Sequence, residues 1–219
     1  ATVKPEEFQK ILDGQHADTI ARGKEILLRH EFERKTLRIK EDYRNQVLEW
    51  CKVLGQEGIG AMAFSEEYGG ENDMGAYAAA FETISYHDLS LTIKFGVQFG
   101  LWGGAVANLG TKRHHDKYLK DTGTLALSGC FAMTETGHGS NVRGLETTAV
   151  YDHEAKELIV HSPSLAAGKE YIGNAMHSRM AAVFCQLIVG GESQGVHAVV
   201  IPIRDEQHNI LPGVRVEDN

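Results

Sequence analysis

At Gly123 the chain changes its hydrophobic period, and one layer of structure cannot serve both halves. Before that point Ile39, Tyr43, Val47, Trp50, Cys51 and Leu54 recur every three or four positions, which puts them on one helix face. After it Leu125, Leu127, Gly129, Phe131 and Met133 alternate, as in a half-buried strand. A helical block followed by a strand block predicts an α+β architecture rather than a doubly wound sheet. The expected division is an N-terminal helical domain over 1–123 and an antiparallel β domain over 124–219.

Helical spacing also covers 5–30, 75–87 and 90–109, with "SEEYGGENDMG" as a connection, and Thr111 is placed to cap "KRHHDKYLKD". Strand-like runs follow at "ETTAVYD", "ELIVHS", "AAVFCQLIV", "VHAVVIPIR" and "VRVED". The stretch 89–110 is long and apolar enough to imitate a membrane span, but Lys94, Gln98, Asn108 and its glycines favour a buried helix. Thirty acidic residues against twenty-two Lys and Arg give a net charge of -8, which argues against nucleic acid or an anionic membrane as partner. Cys51, Cys130 and Cys185 are scattered and form no Cys-x-x-Cys, so neither a disulfide framework nor a zinc site is expected. The start "ATVKPEEFQK" lacks the apolar run of a signal peptide, and the chain does not end in Ser-Lys-Leu.

The polar corner "TETGHGSN", residues 134–141, lies near the change of period. Gly137, Gly139 and Gly144 do not make Gly-x-Gly-x-x-Gly, and the residues after Gly144 are not those of a phosphate loop. "GESQG" at 191–195 matches a nucleophile elbow around Ser193 literally, yet strand-like sequence on both sides predicts a hairpin instead. Adjacent His114 and His115 diverge on a helix and are read as a solvated basic face, while His138 supplies one ligand at most, so no metal site is expected. Glu135 and Glu146 can serve as acid or base only if buried. The pattern thus leaves a glycine-rich corner at the junction of two subdomains without assigning it chemistry.

The stretch "GCFAMTETGHGSNVRGLETTAVYD", residues 129–152, resembles the signature of the acyl-CoA oxidases, in the acyl-CoA dehydrogenase superfamily of flavoproteins. The resemblance continues through "FGVQFGLWGGAVANLGTKRHHDKYL" upstream and "GVHAVVIPIRD" and "LPGV" downstream. It implies a helical N-terminal domain, a middle β domain incomplete at its C-terminal end, and a C-terminal helical region that this chain lacks. It further implies FAD as cofactor, with Thr134, Gly137, Gly139, Tyr171, Ile172 and Gly173 at the flavin and Ser140 at the CoA portion of a fatty acyl-CoA. "KEYIGN" departs from the family's aromatic pattern, since Glu170 cannot stack on a ring. His138 and Gly173 lean toward the oxidase branch.

The implied activity is desaturation of fatty acyl-CoA to trans-2-enoyl-CoA, with oxygen as electron acceptor. The alternatives are a dehydrogenase passing electrons to an electron-transfer flavoprotein, or a non-catalytic half-chain. The family's catalytic glutamate belongs to the C-terminal region, so no catalytic residue is expected in this chain, and Glu135 is given a structural role near the turn. A homodimer is implied for the full-length protein. The location is cytoplasmic in bacteria, which is favoured, or peroxisomal in eukaryotes.

Overall fold

The structure, a computed structural model, describes residues 4–218. Helices α1 (Pro5–Asp13), α2 (Ala17–Leu27), α3 (Lys40–Gln56), α4 (Met74–Ser85), α5 (Leu89–Phe95), α6 (Gly103–Leu109) and α7 (Lys112–Gly123) precede every strand. In α3 the expected stripe is buried at Val47, Trp50, Cys51 and Leu54. Ile39, read as part of that stripe, instead precedes the first helical turn and is exposed. Asp73 and Asp88 accept the backbone N–H of Ala76 and Leu91 and so start α4 and α5.

The stretch read as one buried helix is α5, a π-helical turn at Gly96–Trp102, and α6 in continuous succession. No helix among the described residues is long and apolar enough to cross a membrane. Thr111 caps α7, and His114 Nδ1 accepts the Thr111 N–H in return at 3.1 Å. His114 and His115 are both half-buried, with His115 edge-on to Tyr68, so they do not form a solvated face.

The strands are β1 (Gly129–Ala132), β2 (Thr148–Asp152), β3 (Glu157–His161), β4 (Met180–Val189) and β5 (Glu192–Pro202). The expectation of an antiparallel domain holds for the hairpins β2–β3 and β4–β5 but not for the centre, where β1 and β2 both run parallel to β4. A tight turn reverses the chain; the long connections from β1 and β2 to β4 leave direction free. Gly190 and Gly191, at φ 61° and 83°, make the β4–β5 turn, and Ser193 lies in β5 opposite Ile188. Two expected strand stretches are not strand. Leu125 sits at φ 60° in the turn leaving α7, its side chain drawn into the helical core, and residues 214–218 join no strand ladder.

Period-two alternation gives the sheet two apolar faces. Ala182, Met180 and Val200 pack with Phe64, Trp102 and Leu119 of the helical layer. Cys130, Ala132, Ala181 and Val183 form the opposite face with Ile203 and Ile172. The joint between the layers is built on Gln98, fully buried in the π-helical turn. Its Nε2 donates to Leu127 O at 2.9 Å and Thr122 O at 3.2 Å, and its Oε1 accepts from Gly129 N at 2.9 Å. A Cβ on Gly129 would stand 2.2 Å from the Trp102 ring, so β1 can approach the helices only through glycine there.

Gln98→Leu strands these backbone groups in an apolar joint, and the expected loss is about 3 kcal/mol of unfolding free energy, read from the urea midpoint. Gly129→Ala is expected to destabilise as well, by forcing the strand off Trp102. A Gln98→Leu midpoint equal to that of the parent chain would refute this account of the joint.

Candidate functional site

The corner at 134–141 is an excursion from the sheet edge. β5 pairs along one side of β4, so β1 and β2 share the other, with Ala132 opposite Val183 and Thr148 opposite Gln186. Residues 133–147 leave and rejoin that line. Gln186 holds the return, its Nε2 donating to Arg143 O and Leu145 O at 3.0 and 3.2 Å.

Glu135 closes the excursion. Its carboxylate, with a side chain 0% exposed, accepts the Glu146 and Thr147 N–H groups at 2.8 and 2.9 Å and pairs with Lys169 Nζ at 2.9 Å. Lys169 also donates to Met133 O and Phe184 O, at 3.0 and 2.7 Å, and thus ties both ends of the loop to β4. Burial pushes the Glu135 carboxyl upward, but the Glu146 amide, Thr147 and the Lys169 ammonium outweigh it and hold it at about 2. A carboxylate so committed is unsuited to take a proton near neutrality, which fits the structural role expected of it.

The same pairing sets the loop beside 166–173. Thr136 N donates to Gly168 O, Gly137 N to Ala166 O, and Glu170 N to Thr134 O. Thr134 and Tyr171–Gly173 are thereby brought near one another. Tyr171, Ile172 and Gly173 line a cleft of about 1550 Å³ between the sheet face carrying Cys130 and Val183 and the helices carrying Val47, Ile93 and Val97. A Cβ on Gly173 would lie 2.9 Å from Val97, so this wall of the cleft is set by close backbone approach. Tyr171 is 83% exposed at φ 57°, a conformation that costs a bulky residue and presents its ring outward.

Gly137, Gly139 and Ser140 are exposed and stand away from the lining of the cleft, and a Cβ on Gly139 would meet open space. Of the loop only Thr136 joins Tyr171–Gly173 in the lining, and Thr134 lies beside that lining through the Glu170 N–H bond to its carbonyl. An exposed ring, an apolar side chain and a glycine thus follow one another along the cleft, residue types that can meet a planar aromatic cofactor. No group of His, Cys, Asp and Glu among the described residues is placed to hold a metal ion. Sequence reasoning missed Lys94, Asn174 and His177, which meet at the cleft; the trace of Lys94 was its polarity inside an apolar run.

Because the Glu135 carboxyl lies below its ordinary value in the folded chain, its contribution to stability is complete above about pH 4.5 and is lost as pH falls toward 2. That contribution is about 3 kcal/mol. Glu135→Gln is expected to flatten the acid limb of stability against pH and, by leaving Lys169 buried without its partner, to cost about 3 kcal/mol or more at pH 7. Urea unfolding at a series of pH values tests both; an acid limb unchanged in Glu135→Gln would contradict them.

Comparison with known proteins agrees with the fold. Residues 27–125 match the acyl-CoA dehydrogenase N-terminal domain, and 130–219 match the acyl-CoA dehydrogenase middle domain. The peroxisomal acyl-coenzyme A oxidase 2 of Arabidopsis thaliana is 48% identical over 155 residues, which are 67% of this chain and 22% of that protein. The crystal structure of acyl-CoA oxidase 1 from Yarrowia lipolytica superposes with a TM-score of 0.77 at 25% identity, over 90% of this chain and 28% of that one. Acyl-CoA oxidase-1 of Caenorhabditis elegans, complexed with FAD and ATP, gives 0.69 at 25% identity, over 93% of this chain and 30% of that one. This chain thus spans less than a third of the length of these relatives. With both family domains matched in order and the fold in agreement, the chain belongs to the acyl-CoA dehydrogenase family.

Proposed function

We propose that this chain is a cofactor-holding part of an acyl-CoA oxidase, acting in fatty acyl-CoA oxidation, with its helical domain at 1–123 and its middle domain at 124–219. The observation that carries the reading is the cleft wall of Tyr171, Ile172 and Gly173, set beside the loop from Thr134 by the Glu135–Lys169 pair. FAD is the proposed cofactor, supported by the family and by the FAD complex of the Caenorhabditis relative.

In this reading the residues of the chain bind and orient. Tyr171 and Ile172 would pack against the flavin, Gly173 would let it approach, and Thr134 would offer a hydroxyl from the adjoining loop. Gly137 and Gly139 leave room for the thioester, and Ser140 meets the CoA portion. The acyl chain lies along the apolar side chains of Leu89, Ile93 and Val97, of which Val97 is buried and Leu89 and Ile93 are exposed in this chain. FAD, held by these residues, would supply a hydride acceptor for the β-carbon, with oxygen as the proposed final electron acceptor. The α-proton goes to a carboxylate outside this chain, since Glu135 is held ionised by its own partners.

Fatty acyl-CoA is the proposed substrate and a homodimer the proposed full-length state. The Arabidopsis relative is peroxisomal by name, so the peroxisome is the proposed location, and the bacterial cytoplasm favoured by the sequence reading finds no support in the relatives. A dehydrogenase passing electrons to an electron-transfer flavoprotein is separated from the oxidase by assaying peroxide against dye reduction.

The chain alone is expected to bind FAD weakly and to turn over no acyl-CoA. In the full-length protein Gly173→Val is expected to lower flavin retention on gel filtration, because a side chain would enter the wall that Val97 already meets. A stoichiometrically yellow chain that desaturates acyl-CoA without another polypeptide would contradict the half-site reading.

A further inference from the structure

Lys94 lies in the cleft wall one helical turn before Val97, the residue that packs on Gly173. Its neighbours along that wall, Leu89, Ile93 and Val97, are apolar. The ammonium donates to Asn174 Oδ1 at 2.5 Å and meets His177 Nδ1 at 3.0 Å. Asn174 is itself fixed, its Nδ2 donating to Gly129 O at 3.1 Å. A lysine has three N–H donors, so two neutral partners leave one donor and the whole charge uncompensated.

The surroundings deepen that imbalance. Facing the cluster from α3 are Arg44, Lys52, Glu41 and Cys51, and from beyond β5 Arg204. Cys51 is kept a neutral thiol by burial, which pushes it up to about 12, so it gives no counter-charge. Arg44 and Lys40 already share Asp218. Glu41 reaches only the far nitrogen of His177, at 4.0 Å, and that buried nitrogen has no hydrogen-bond partner. Burial, with Arg44 and Lys52 adding to it, draws Lys94 down to about 8, and burial together with Lys94 draws His177 to about 4. A half-buried cation whose direct partners are neutral acceptors, and whose neighbouring carboxylates are engaged elsewhere, is completed by an anion.

We propose that Lys94, with Asn174 and His177, forms a cationic subsite in the cleft that takes the terminal carboxylate of a dicarboxylic acyl thioester. This rests on the acyl-CoA reading above and names the substrate class within it. Asn174 fixes the ammonium from one side and His177 from the other, so the third donor is aimed by the fold. A carboxylate fits that donor better than a methyl end does, because a methyl terminus would leave the charge buried against hydrocarbon.

The chain labelled with 13C at the lysine ε-carbons reports on Lys94, whose resonance is assigned by its loss in Lys94→Met. Free octanoate is expected to raise the Lys94 midpoint from about 8 toward its ordinary value, and neutral octanamide to leave it unmoved. In the full-length protein octanedioyl-CoA is expected to bind about tenfold more tightly than octanoyl-CoA, Lys94→Met to equalise the two, and Lys94→Arg to keep the preference. Circular dichroism confirms that both variants are folded. Equal binding of the two thioesters by the full-length parent protein, or a preference that survives Lys94→Met, overturns the subsite while leaving the acyl-CoA reading in place. A midpoint shifted by octanoate with neither thioester bound supports the anion subsite and removes the acyl-CoA reading. No shift and no thioester binding overturns both.

Discussion

A single buried ion pair decides where the candidate site can be. Glu135 has no water to solvate it, so its charge is tolerable only because two backbone amides and the Lys169 ammonium converge on it. Those partners come from the loop's own return and from the segment before Tyr171. Satisfying one carboxylate therefore fixes the loop, the cleft wall and the centre of the sheet relative to each other. The corner that first looked like a place for chemistry is a place where chemistry has been removed from an acid in order to position its neighbours.

The helical layer reaches the same region by a second polar route. Gln98 joins the π-helical turn to the start of β1, and Asn174 bonds both the β1 backbone and Lys94. A buried amide of this kind gives little net stability, but it penalises every arrangement that leaves its partners unpaired. The joint between the two layers is consequently specific, and the cleft that opens beside it inherits that definition.

The order and type of the elements were legible because they rest on local periodicity, as in the stripe Val47, Trp50, Cys51 and Leu54, and on the two glycines of the β4–β5 turn. Strand direction was not, because parallel pairing of β1 and β2 with β4 depends on long connections that carry no period. Leu125 misled for a related reason: a hydrophobic residue in phase with a strand can instead be drawn into a core from a turn. Around the cleft, Tyr171–Gly173 were pointed to by the resemblance and line it, whereas the pairing of Glu135 with Lys169 carried no sequence signal. The meeting of Lys94, Asn174 and His177 carried none either, because it joins distant segments through side chains rather than spacing.

The end-to-end placement of β1 and β2 on one edge of β4 separates the sheet from its loop. Between Ala132 and Thr148 the chain makes its entire detour while β4 advances only from Val183 to Gln186. The ladder on either side would read the same whatever the detour contained, provided its two ends returned to those rungs. Such a frame lets the contents of a binding corner diverge, in length as well as in residue, without asking the scaffold to change its register.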